Sequence, residues 1–211
     1  MWILILTVLV VISAALTISA EYHGPQRIVY LCKPLTTCCL ILLALLPKYP
    51  VAPFYRYMIV AGLVCSLAGD VFLMLPADRF VQGLISFLVA HLCYIAAFVW
   101  MGARVPAHVW AGLPLLFYGG AMLWLLWPSL GKMKAPVIVY MLVILLMGWT
   151  ALSRYFETKQ SGSLLAALGA LLFIASDSIL AVNRFRVRLR LAQLLILATY
   201  FTAQWLIALS T

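Results

Sequence analysis

YMIVAGLVCSLAGDVFLML, running from Tyr57 to Leu75, decides how the chain folds. These nineteen residues hold one charge, Asp70. A helix needs ~20 mostly apolar residues to cross the hydrocarbon of a bilayer, and this stretch supplies them. The rest of the chain is built the same way: of 211 residues, 67% are hydrophobic and 9% charged, with a mean hydropathy of +1.15. A soluble domain averages ~45–50% apolar and ~25% charged. That gap excludes an ordinary soluble protein, a disordered chain, a coiled coil, and an enzyme with a separate soluble domain.

Seven further runs match the first. The eight expected spans cover about 1–20, 29–46, 57–75, 80–101, 107–127, 135–152, 162–182 and 190–210. Breakers separate them: Glu21 to Pro25, Pro47 to Pro53, Pro76 to Arg79, Gly102 to Pro106, Pro128 to Lys134, Arg154 to Gly162 and Asn183 to Arg190. Ten-residue stretches of alternating polarity are absent from the sequence, so the pattern is helical and not that of a barrel. Residues 1–20 have no basic leader before their apolar run, so they read as a first span and not as a cleaved signal. The expected fold is an all-α polytopic membrane protein of about eight transmembrane helices, with residues 1–211 forming a single integral membrane domain.

The net charge is +9. In a bilayer protein that excess belongs to cytoplasmic loops and anionic headgroups, so no nucleic-acid partner is expected. Loops after the odd-numbered spans carry Arg27, Arg79, Lys132, Lys134, Arg184, Arg186, Arg188 and Arg190. Loops after spans 2, 4 and 6 carry Lys48, Arg56, Arg104, Arg154 and Lys159. Eight against five places both termini outside and the 184–190 loop in the cytoplasm. Short loops and modest length suit a bacterial inner membrane. Cys32, Cys38, Cys39, Cys65 and Cys93 lie in apolar runs without C-x-x-C spacing and read as small core residues. The three histidines are scattered, and no metal site is expected.

Span 3 has a counterpart. Gly62 precedes Asp70 by eight residues, Gly69 lies directly before it, and Arg79-Phe80 follows; Gly169, Ser176 and Asp177 repeat the pattern 107 residues on, and Arg184-Phe185 again follows at the loop. The offset equals four spans, so both copies cross in the same direction. This is the signature of a parallel four-plus-four internal repeat.

Charged groups inside a bilayer are costly and mark functional sites. Asp70 lies six residues before the breaker Pro76 and Asp177 six before Asn183, roughly 9 Å deep at ~1.5 Å per residue. Lys33 and Tyr140 enter spans 2 and 6 at about that level, and His91 and Tyr94 sit nearer mid-depth on span 4. Tyr200 and Gln204 share a face of span 8. Lys33 can also snorkel to headgroups, and the histidine and tyrosines can also be packing residues. The aspartates have no such bland reading, since one facing lipid costs ~2.5–3.5 kcal/mol. At the expected mouth, Arg27, Arg79, Arg184 and Asn183 stand near the same interface.

Lys33-Pro34-Leu35, Ser66-x-x-Gly69-Asp70, His91-Leu92-x-Tyr94 and Phe173-x-x-Ser176-Asp177, on spans 2, 3, 4 and 7, resemble the YhhN-type lysoplasmalogenases. The resemblance covers most of the chain. It implies a membrane hydrolase that cleaves the vinyl-ether bond of lysoplasmalogens, releasing a fatty aldehyde and glycerophospho-ethanolamine or -choline. It implies site roles for Asp70, Asp177 and His91, read as catalytic, and for Lys33, read as a substrate contact; depth and charge along the spans add Tyr94, Tyr140, Asn183, Arg79, Arg184 and Gln204 as expected substrate contacts. Vinyl ethers hydrolyse by protonation of the β-carbon, which leaves an oxocarbenium ion, and two carboxyls can divide the roles of acid and counter-anion. Such chemistry calls for no cofactor. The partners expected are a lysophospholipid substrate and membrane lipids. A carrier using the aspartates as proton or cation sites, or a lipid-binding sensor, is the competing class.

Overall fold

The structure, a computed structural model, describes residues 1–46 and 48–211. Pro47, one of the expected breakers, lies outside the described residues. Eight helices follow in order: α1 Trp2–His23, α2 Gln26–Leu45, α3 Pro53–Met74, α4 Phe80–Trp100, α5 Val109–Leu126, α6 Lys134–Thr158, α7 Ser161–Phe185 and α8 Ala192–Leu209. All eight are long and apolar enough to cross a membrane. The chain is a multi-pass integral membrane protein. Short 3₁₀ turns lead into α5 and connect it to α6.

Local chemistry explains the ends. Pro53 opens α3 at a position where its missing N–H is not needed. Lys159 closes α6 in the left-handed region at φ 53°. The outward faces stay apolar, with Phe117 and Trp124 more than four-fifths exposed, as a lipid-facing surface requires.

Three boundaries correct the expected loops. α6 runs on to Thr158, so Arg154 is a helical residue with 1% exposure and not a loop charge. Its Nη1 donates to the Tyr55 hydroxyl at 2.7 Å, and its guanidinium stacks 4.3 Å over that ring. α3 begins before Arg56, which places this residue in its first turn. Asn183 and Arg184 belong to the last turn of α7.

Helix partners recur at the four-helix offset. α3 packs along α4 as α7 does along α8; α2 lies on α3 as α6 does on α7; α4 crosses to α6 as α8 does to α2. Close approach is built into both halves. A Cβ on Gly62 would lie 2.2 Å from the Tyr94 ring, and one on Gly169 would lie 2.8 Å from the Ala203 carbonyl. These glycines, 107 residues apart, let α3 meet α4 and α7 meet α8 in matching ways.

Candidate functional site

Asp70 on α3 is 1% exposed and fully engaged. Its Oδ1 lies 3.3 Å from the Lys33 ammonium of α2. Its Oδ2 accepts from Thr37 Oγ1 at 2.9 Å and from the Tyr200 hydroxyl of α8 at 2.7 Å. Gln204 Nε2 donates to Tyr200 at 3.4 Å, and the Tyr94 hydroxyl donates to Gln204 Oε1 at 2.8 Å. Lys33, Asp70, Tyr94 and Gln204 therefore form one buried network. A buried ion pair holds only when hydrogen bonds satisfy its remaining valences, and Thr37 and Tyr200 do that here.

Asp177 on α7 stands differently. The Tyr140 hydroxyl of α6 donates to its Oδ2. His91 Nε2 of α4 lies 3.0 Å from that hydroxyl and 3.8 Å from the carboxylate. A tyrosine hydroxyl has one proton, and here it is spent on Asp177. His91 then donates from Nε2 to that hydroxyl, and its buried Nδ1 has no partner. The Asp177 side chain keeps 15% exposure against 1% for Asp70.

The two sites are pseudo-symmetric counterparts. Asp70 is held from α2 and α8, and Asp177 from α6 and α4, the same helices moved by four. Lys33 and Tyr140 differ by 107 in number, the same offset as the two aspartates. One copy thus has a cation where the other has a phenol. Aromatic rings stand between them: Phe173 lies 5.4 Å from Tyr200 and 4.7 Å from His91, centroid to centroid, and Phe87 packs edge-on against both Phe173 and Tyr200.

Of the two aspartates, Asp177 lines an apolar cavity. It opens among α4, α5, α6 and α7. Tyr140, Tyr118, Ser178 and otherwise apolar side chains line it. Asp70, His91, Tyr94 and Gln204 line neither this cavity nor the adjoining one. The adjoining space is polar and lies at the loops, bounded by Lys33, Arg79, Asn183, Arg184, Arg188 and Glu21. The two share Leu73, Phe80 and Leu180 as a common wall. At this mouth Arg184 donates to Asp78 and holds that carboxyl below its usual range. Asn183 Oδ1 accepts from the Leu189 amide at 2.9 Å, fixing the loop that follows. Arg27 does not line the mouth.

Thr37, Phe87, Tyr118 and Ser178 extend the set read from sequence, while Tyr200 and Phe173, already noted there, gain their contacts here. Thr37 lies one turn beyond Lys33 and Tyr200 one turn before Gln204, spacing that marks a shared face. The phenylalanines carry no such signal in an apolar helix. Among the described residues no group of three or more His, Cys, Asp or Glu stands together to hold a metal ion. The five cysteines are free.

The family model for YhhN matches residues 28–211, which include both aspartates, their hydrogen-bond partners and the cations of the mouth. The chain belongs to the YhhN family. The membrane protein YhhN of Escherichia coli O157:H7 is 30% identical to it over 203 residues, 95% of either chain. Human lysoplasmalogenase TMEM86A is 35% identical over 187 residues, covering 85% of this chain and 75% of the relative. Human lysoplasmalogenase TMEM86B is 38% identical over 157 residues, covering 74% and 64% respectively. No solved structure matches. In this YhhN-family chain the match spans both acid sites, the cavity and the cationic mouth.

Proposed function

We propose that the protein hydrolyses the vinyl-ether bond of single-chain ether phospholipids, releasing a fatty aldehyde and the glycerophospho-alcohol, with Asp177 as the proton donor. One observation carries this reading: the Asp177 carboxyl faces an apolar cavity that adjoins a cationic mouth. That order of surfaces suits a phosphate head, a bond next to glycerol, and then a hydrocarbon chain. Relatives named lysoplasmalogenases support it.

In the proposed step, Asp177 gives its proton to the β-carbon of the vinyl ether. The ether oxygen then shares the positive charge, and the new carboxylate lies beside it as counter-anion. Water adds to the oxocarbenium carbon and returns a proton to Asp177. The hemiacetal passes its hydroxyl proton to the ether oxygen, the C–O bond breaks, and aldehyde and alcohol leave. Tyr140 and His91 orient the carboxyl through the hydrogen bond from the Tyr140 hydroxyl to Oδ2. No metal or organic cofactor enters this scheme. Arg79, Arg184, Arg188 and Lys33 provide cations for the phosphate.

Asp70 has a separate part in this account. It stands behind Phe87 and Phe173, neutralised by Lys33, and positions α2, α3 and α8 behind the cavity wall. The sequence suggested two carboxyls flanking one bond; the geometry favours a single carboxyl serving in turn as acid, counter-anion and base.

Purified protein in detergent is expected to release aldehyde from a lysoplasmalogen and none from the saturated-ether analogue. Absence of aldehyde, with proton-gradient-dependent flux of a solute in liposomes, would replace this reading with a carrier.

A further inference from the structure

A second apolar groove lies deeper between α5 and α6, lined by Gly112, Leu115, Leu116, Leu142, Leu146 and Trp149. Leu145 borders both this groove and the Asp177 cavity. We propose that the two form one track for the hydrocarbon chain of the lipid, and that Leu145 is its gauge, setting which chain lengths pass into the deeper groove. The proposal rests on the lipid reading above and adds a determinant of chain-length specificity.

Glycines shape the track. A Cβ on Gly119 would lie 2.3 Å from Leu145 Cδ1, so the leucine leans into room that only a bare backbone leaves. Seven residues earlier on α5, Gly112 does the same for the Trp149 ring, at 2.5 Å. Trp149 is fixed in turn, since its indole N–H donates to the His108 carbonyl at 2.9 Å. A fixed indole at the far end makes a floor, whereas Leu145 is a flexible side chain midway. From Val137, at the upper end of the cavity, to Trp149 the track follows twelve residues of α6, roughly 18 Å at ~1.5 Å per residue. Polar atoms contribute almost nothing to the lining of the deeper groove, so its occupant is a hydrocarbon chain. That the groove begins where the Asp177 cavity ends assigns it to the substrate's own chain.

The test compares chain lengths. Decyl, tetradecyl and octadecyl lysolipids are supplied as vinyl ethers for turnover and as uncleavable saturated ethers for binding by calorimetry. The variants are Leu145→Trp, which plugs the passage, and Leu142→Trp. Leu142 is 57% exposed, so tryptophan there fills the deeper groove without entering the packed core. Each buried methylene tightens binding about fourfold. In wild-type protein this gain should continue from decyl to octadecyl chains. In either variant the gain should stop early, and the octadecyl-to-decyl affinity ratio should fall at least tenfold. An unchanged ratio in folded Leu142→Trp protein means that the groove holds annular lipid only and overturns the proposal. If the ratio falls in binding but no chain yields aldehyde, the hydrolase reading fails while the gauge stands.

Discussion

Asp177→Asn is expected to cut aldehyde release by ~10²–10⁴-fold, the usual cost of losing a general acid. Asparagine keeps the shape of the side chain and can still accept from Tyr140, but it has no proton to give the β-carbon. It also cannot become the anion that the oxocarbenium ion needs, so the loss should fall in the upper part of that range. The loss should appear in kcat, since the interaction exists only in the transition state. Stability should hold, because no ion pair to a lysine or arginine is broken: the neighbours of Asp177 are Tyr140 and His91. Thermal unfolding in detergent and steady-state kinetics on the same sample check both halves. Turnover near wild type would remove Asp177 from the chemistry.

Asp70→Asn is expected to act mainly on folding. Asp70 is buried with Lys33 at 3.3 Å, and the lysine side chain is only 11% exposed. Removing one partner of a buried pair costs ~3–5 kcal/mol, since the other charge is left uncompensated. The lysine sits at the edge of the polar mouth and can shift toward it, which places the cost at the lower end. Replacing both, as Lys33→Met with Asp70→Asn, should recover most of the loss, and a double-mutant cycle on unfolding midpoints reads the coupling directly. Equal stability of the single variant and wild type would show that the pair contributes nothing to the fold. The two aspartates, alike in sequence setting, are thus expected to fail differently.

Much of this was legible in the residues. Tyr57–Leu75 is long and apolar enough for only one structure, and its echo at 169–185 announces the packing that recurs four helices later. Arg154 was not. A charge near the end of an apolar run looks like a loop, and Tyr55, 99 residues earlier, is what takes it into the bundle. Nor could the aromatic screen be read. Phe87 looks like any other phenylalanine, and Phe173, though part of a quoted motif, shows its place only when α4 and α7 bring the two rings together between the carboxyls. Spacing along a helix gives depth, whereas which faces meet depends on contacts between distant residues. For that reason the two aspartates read as one site and fold as two.

The most direct test of the central claim is aldehyde release by the wild-type protein in detergent, measured in ordinary and in heavy water. Rate-limiting proton transfer from Asp177 to the vinyl carbon predicts slower turnover in heavy water and, at early times, deuterium on the carbon next to the aldehyde. The same rate in both solvents, or no aldehyde in either, would contradict it.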